Sequence, residues 1–216
     1  MHIHSLTFNP FLENTYLLYD DTGECVIVDP GCYGPQEERR LLETIQQMKL
    51  KPVLLLNTHC HIDHVFGNKF VAEQFNIPLA IHPDELPILN ALAEYGRLFG
   101  VPTVPSPAPT AWLAPGESVR FGQTQLEVLF TPGHSPGHVT FHYVAGKQII
   151  SGDVLFRGSI GRTDLPGGDP TTLMKSIVDT LLPLGDEVQV YNGHGPMTTL
   201  GQERTRNPFI LDYLRV

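Results

Sequence analysis

Between Thr58 and His64 the chain reads Thr-His-Cys-His-Ile-Asp-His, which packs three imidazoles and a carboxylate into six positions. Imidazole nitrogen and carboxylate oxygen are donors that suit zinc, iron or manganese. The cluster directly follows the apolar run Val53-Leu54-Leu55-Leu56, so it begins where a buried strand should end. Residues two apart in extended backbone point the same way, which lets His59 and His61 share one ion. A helix starting near Asp63 would turn that residue and His64 toward a neighbouring position, where they could hold a second ion. A purification tag would put its histidines at a terminus, without an intervening aspartate.

Three more donors stand at the ends of predicted strands, each beside glycine: His134 in Thr131–Gly137, Asp153 in Ser151-Gly152-Asp153, and His194 in Asn192–Gly195. Glycine permits the close backbone approach and positive φ that a compact metal cage needs. Taken singly, a histidine after a strand reads as a turn residue. With the first cluster, the three supply the donors that the cluster lacks.

The elements that must carry these residues follow from apolar periodicity. Residues 2–8, 15–19 and 25–28 read as strands split by Asn9-Pro10 and Asp20–Gly23 turns. A helix over 36–48 has Leu41, Leu42, Ile45 and Met48 on one face. After the strand at 53–57, helical spacing runs from Asp63 through Phe75, a strand covers 79–81, and a helix opened by Pro83 covers 84–99. The proline-rich stretch 100–115 reads as an irregular loop and a candidate lid. Strands at 118–121, 125–130, 139–143, 148–151 and 187–191 follow, with helices over 171–182 and from Leu200. Batches of strands with interspersed helices predict two mixed sheets face to face with helices outside.

Composition narrows the partners. The 216 residues carry a net charge of −9 with only 17% charged residues, and no lysine or arginine stripe forms. That excludes nucleic acid and anionic membranes as main partners. No apolar run reaches the roughly 18 residues of a membrane span, and the first residues lack the pattern of a signal peptide. A cytoplasmic protein is expected. Cys25, Cys32 and Cys60 are an odd set that implies no disulfide framework.

In order and kind, Thr58–His64, Gly133-His134, Gly152-Asp153 and Gly193-His194 resemble the metallo-β-lactamase-fold hydrolases. The resemblance implies an α/β fold, a four-layer αβ/βα sandwich of two mixed sheets flanked by helices, as one domain over 1–216. It puts His59, His61 and His134 on a first ion and Asp63, His64 and His194 on a second, with Asp153 bridging. Two divalent cations are therefore expected, zinc first, with iron and manganese open. Asp153 stands where β-lactam-cleaving members often carry Cys or Ser, and His61 where flavodiiron proteins tend to carry Glu. Ser151–Asp169 and Gly193–Phe209 are similar to the bacterial single-domain type II glyoxalases. That implies a small-molecule thioester substrate, S-lactoylglutathione or a related hydroxyacyl thioester. The helical domain that brings basic residues to glutathione in two-domain relatives is not expected after Arg204-Thr205-Arg206.

Two neighbouring cations can hold a hydroxide at neutral pH for attack on the thioester carbonyl, with Asp63 orienting its proton. A thiolate leaves without a strong general acid. Asp29, in Asp-Pro-Gly, resembles a supporting position of the family and reads equally as a turn residue. Arg162, in Gly161-Arg162-Thr163-Asp164, is a candidate for substrate contact, against an internal ion pair with Asp164. Alternation turns Cys60 away from the ligands as a buried thiol. His82, His138 and His142 read as packing or surface residues. One rival is a mononuclear iron persulfide dioxygenase, which would use His59, His134 and Asp153. Another is a metal-binding sensor without turnover, although structural zinc sites are usually closed cages rich in cysteine. The sequence carries no signal for oligomeric state.

Overall fold

Short β-rich runs separated by Asn-Pro, Asp-Asp-Thr-Gly and Asp-Pro-Gly turns form the first three strands of the computed structural model, which describes Met1–Arg215. By its contacts the chain divides into two units. Residues 1–113 and 120–125 make the first, and residues 114–119 and 126 onward the second.

The first unit contains β1 (His2–Phe8), β2 (Glu13–Tyr19), β3 (Glu24–Val28), α1 (Pro35–Gln47), β4 (Lys51–Leu56), α2 (Ile62–Val65), α3 (Asn68–Phe75), β5 (Leu79–Ile81), α4 (Leu86–Asn90), α5 (Leu92–Phe99) and β6 (Ala111–Trp112). Its sheet runs β1-β2-β3-β4-β5-β6. Pairing is antiparallel from β1 to β3 and parallel from β3 to β6. Leu17, Ile27 and Leu55 from the strands pack with Leu41 and Ile45 of α1 and Val71 of α3. The stripe predicted for α1 is half right: Leu41 and Ile45 are buried, while Leu42 and Met48 are partly exposed.

The second unit adds β7 (Ser118–Phe121, whose end lies with the first unit), β8 (Thr124–Phe130), β9 (Val139–Tyr143), β10 (Gln148–Gly152), β11 (Leu155–Phe156), β12 (Ser159–Ile160), α6 (Pro170–Lys175), β13 (Gln189–Asn192), β14 (Thr198–Thr199), α7 (Leu200–Arg206) and α8 (Pro208–Tyr213). Its sheet runs β14-β13-β10-β9-β8-β7, with β10 and β13 parallel and the pairs β8–β9, β9–β10 and β13–β14 antiparallel. Two large mixed sheets with flanking helices are therefore present, as expected. Among the described residues no helix is long and apolar enough to cross a membrane.

Four predicted elements differ from the structure. The helix over 63–75 breaks into α2 and α3, because the Gly67 N–H bonds the Pro30 carbonyl (2.7 Å) and a side chain there would strike Cys32 and Pro30. The helix over 84–99 becomes a 3₁₀ turn at Pro83–Glu85 followed by α4 and α5, broken at Ala91. The stretch 100–115 is not wholly irregular, since Ala111 and Trp112 pair in parallel with Ala80 and Ile81. The helix over 171–182 is α-helical only to Lys175. It continues as a π-helix over Ser176–Leu181 and a 3₁₀ turn over Leu182–Leu184.

Asp169 caps α6, its Oδ1 accepting the Thr172 N–H at 2.6 Å, while its own N–H bonds the Gly133 carbonyl at 2.8 Å. Asp169→Ala should cost about 1 kcal/mol of unfolding free energy, and Leu173→Ala, fully buried in the same helix, about 2–5 kcal/mol. Urea denaturation of the two variants checks both values.

Candidate metal centre

The first cluster has the conformation its spacing predicts. Past the end of β4, His61 is still extended (φ −63°, ψ 152°) and caps α2, which starts at Ile62. His59 and His61 stand with ring centroids 4.8 Å apart, and His59 and His64 with centroids 4.1 Å apart. His59 and His64 are fully buried, and Asp63 is partly exposed.

Asp29, in the turn after β3, governs how two of these rings are protonated. Its Oδ1 accepts the Thr58 N–H (2.7 Å) and its Oδ2 accepts the Thr58 hydroxyl (2.6 Å) and faces His64 Nδ1 (3.2 Å). The Thr58 hydroxyl proton is thus spent on Asp29, so Thr58 Oγ1 can only accept from His59 Nδ1, 3.1 Å away. Both rings therefore carry their proton on Nδ1 and present an Nε2 lone pair, the state a cation requires. Asp29 is a positioning residue. Its backbone is left-handed (φ 49°), and its N–H bonds the Leu56 carbonyl at 2.9 Å.

Asp63 is held from behind. Asn9 Nδ2 donates to the carbonyls of Asp63 (2.9 Å) and Gly31 (3.0 Å). Gly31 must be glycine, because a Cβ would strike Glu13, Asn9 and the Asp63 carbonyl. Glu13 is fully buried and accepts the Thr15 hydroxyl at 2.9 Å. Burial pushes its carboxyl well above the usual range; His64 opposes the shift, and Asp29 and Asp63 add to it. Cys60 is a buried thiol, as alternation requires, and burial raises it well above its ordinary value. Its backbone N–H donates to the buried Glu85 carboxylate at 2.7 Å.

In the second unit, His134 follows β8, Asp153 follows β10 and His194 follows β13. The β10–β13 register slips between Ile150 and Gly152, an irregularity that re-aims the chain just before Asp153. Asp153 Oδ2 lies 3.6 Å from His134 Nε2 and 3.4 Å from His194 Nε2. These separations are long for hydrogen bonds. They match donors around a tetrahedral ion, which sit about 3.3–3.6 Å apart when each bond is about 2.0–2.2 Å. His64 Nε2 and Asp63 Oδ2, at 3.7 Å, have nearly the same spacing in the first unit. One oxygen of Asp153 thus faces two imidazole nitrogens, as a shared ligand would. His134 Nδ1 donates to the Arg162 carbonyl (2.8 Å), which leaves its Nε2 lone pair toward Asp153.

The Arg162 side chain forms a bidentate pair with Asp164, two contacts of 2.7 Å, on the exposed surface. His82 accepts the Asp84 N–H and His142 faces Glu127, both local contacts. His138 is different: its Nε2 accepts the Asp153 N–H at 3.1 Å. Residue types alone did not assign Asn9, Glu85, His138 or the Arg162 carbonyl to the site. The one available signal was the four-residue spacing of His134 and His138 in a single loop.

The fold and donor set are those of a metal-dependent hydrolase class, and comparison identifies it: a family model for the metallo-beta-lactamase superfamily matches residues 8–194. The chain belongs to that superfamily. It is 37% identical over 212 residues to hydroxyacylglutathione hydrolase GloC of Haemophilus influenzae, covering 97% of this chain and 98% of that one. The solved BLEG-1 B3 metallo-beta-lactamase is 39% identical with a TM-score of 0.90, covering 97% of this chain and 99% of that one. TTHA1623, solved in a di-iron-bound form, is 42% identical with a TM-score of 0.86, covering 95% and 99%.

Asp29→Ala should weaken metal binding about 10–100-fold, measured by chelator competition. Glu13→Gln tests the buried carboxyl. Its pKa is raised on folding, so the folded state favours the protonated form, and wild type should lose stability relative to the variant as pH rises from the ordinary carboxyl value of 4.5 toward the raised folded value. Thermal midpoints of chelator-treated protein across that range read the difference, and parallel curves would refute it.

Proposed function

We propose that this protein is a two-metal thioester hydrolase acting on S-lactoylglutathione or a related hydroxyacyl thioester. The observation that carries the reading is the single Asp153 oxygen at ligand spacing from both His134 and His194. In this reading His59, His61 and His134 hold one ion, Asp63, His64 and His194 the other, and Asp153 both. The two units then act as one domain, which the family match across both supports. Zinc is the first choice of ion, and the di-iron form of one relative supports testing iron beside it. When bound, two such ions supply an activated water and Lewis-acid stabilisation of an oxyanion. The Asp63 carboxylate would orient that water and hold its proton, its backbone fixed by Asn9. A thiolate is a good leaving group, so no protein acid is assigned to it. The name of the Haemophilus relative supports the hydroxyacylglutathione substrate.

Zinc, iron and manganese forms should be assayed on S-lactoylglutathione, a simple acyl thioester, a chromogenic β-lactam and glutathione persulfide. Thioester cleavage is expected, falling on the order of 10²-fold or more in Asp63→Ala. One iron per chain, with oxygen uptake on the persulfide and no thioester cleavage, would overturn the assignment in favour of a dioxygenase. Cleavage of the β-lactam alone would overturn it in favour of a lactamase.

A further inference from the structure

We infer that His138 is a positioning residue that aims the Asp153 carboxylate through its backbone amide. The inference rests on the reading of Asp153 as a shared metal ligand. His138 is fully buried immediately before β9. Its Nε2 lies 3.1 Å from the Asp153 nitrogen, whose only hydrogen-bonding role is as donor. The ring must therefore accept at Nε2 and carry its proton on Nδ1.

A chain of hydroxyls accommodates that tautomer. His138 Nδ1 stands 3.1 Å from Thr131 Oγ1, and Thr131 Oγ1 stands 3.0 Å from Thr140 Oγ1. With the ring donating, Thr131 accepts from His138 and is free to donate to Thr140, so the three groups align in one direction. All three residues are fully buried, so solvent does not compete for these bonds. The opposite tautomer would set the Asp153 N–H against a ring N–H.

The rest of the Asp153 backbone is pinned around this bond. The Gly152 carbonyl accepts the Gly193 N–H at 2.8 Å, next to His194. The Gly161 N–H donates to the Val154 carbonyl at 3.2 Å, and a side chain at Gly161 would collide with the Asp153 carbonyl. With its amide on His138 and its carbonyl against Gly161, the residue projects Oδ2 between His134 and His194. His138 is not an eighth ligand, since the Asp153 amide occupies its Nε2.

The test compares the wild-type chain with His138→Leu, His138→Gln and Thr131→Val. Ring tautomer is read by ¹⁵N NMR, zinc affinity and stoichiometry by chelator competition, and the thermal midpoint on metal-free protein. Wild-type His138 should be protonated at Nδ1. His138→Leu should bind zinc about 10–100-fold more weakly, and His138→Gln, whose amide oxygen can take the Nε2 place, should recover most of that loss. Thr131→Val should weaken zinc binding in the same direction by less, and it decides the matter if His138→Leu does not fold. A ring protonated at Nε2 would overturn the inference. So would unchanged zinc affinity in a folded His138→Leu or in Thr131→Val. Equal losses of zinc affinity and of metal-free thermal midpoint in the Leu and Gln variants would reduce His138 to a core residue. Thioester cleavage by the wild type is scored separately: its absence would refute the hydrolase reading while the zinc affinities still judge His138.

Discussion

An imidazole can bind a cation only with an unprotonated nitrogen, so each ligand ring needs a partner that holds the proton on the other side. Much of the structure near the donors serves this requirement. Asp29 satisfies it for His64 directly and for His59 through Thr58, and the Arg162 carbonyl satisfies it for His134. These partners are one buried carboxylate in a left-handed turn, one threonine hydroxyl and one loop carbonyl. Their bonds persist because the groups are shielded from water, which would otherwise compete for every one of them.

The donors collect at strand ends because a sheet fixes where each strand stops, and a short loop adds little freedom beyond that point. β4, β8, β10 and β13 each deliver a candidate ligand within a few residues of their last paired position. Close approach sets the residues around them. Gly31 lets Asn9 and Glu13 crowd the Asp63 carbonyl, and Gly133 at φ 124° lies against the backbone of Leu173, where any side chain would collide. Asn9, Glu85 and His138 all bond peptide groups at or beside candidate ligands, at Asp63, Cys60 and Asp153. Ligand direction is therefore set through the backbone.

Irregularities in the helices have the same origin. α2 ends after Val65 because Gly67 must drop onto Pro30, which keeps Asp63 and His64 in a single turn beside Asp29. In the second unit α6 widens into a π-helix at Ser176, whose hydroxyl bonds the Pro132 carbonyl at 2.7 Å, two residues before His134. π-Segments are rare and often lie at functional sites. Here the widened turn lies against the loop that carries the candidate ligand His134.

Donor chemistry and its order along the chain were readable from the sequence, because residue type decides what can bind a cation and glycine marks where backbone must approach closely. Strand positions were readable for a similar reason: β-rich runs between strong turn residues leave few alternatives. Helix interruptions at Gly67 and Ser176 were not, since apolar periodicity continues through them while a contact distant in sequence, with Pro30 or Pro132, reshapes the hydrogen-bond ladder. Nor could the sequence separate His138 from His142. Both lie near β9, but one ring meets the Asp153 amide in a dry interior and the other meets the Glu127 side chain. Which nitrogen carries a proton depends on what lies within about 3 Å of it, and only the tertiary structure decides that.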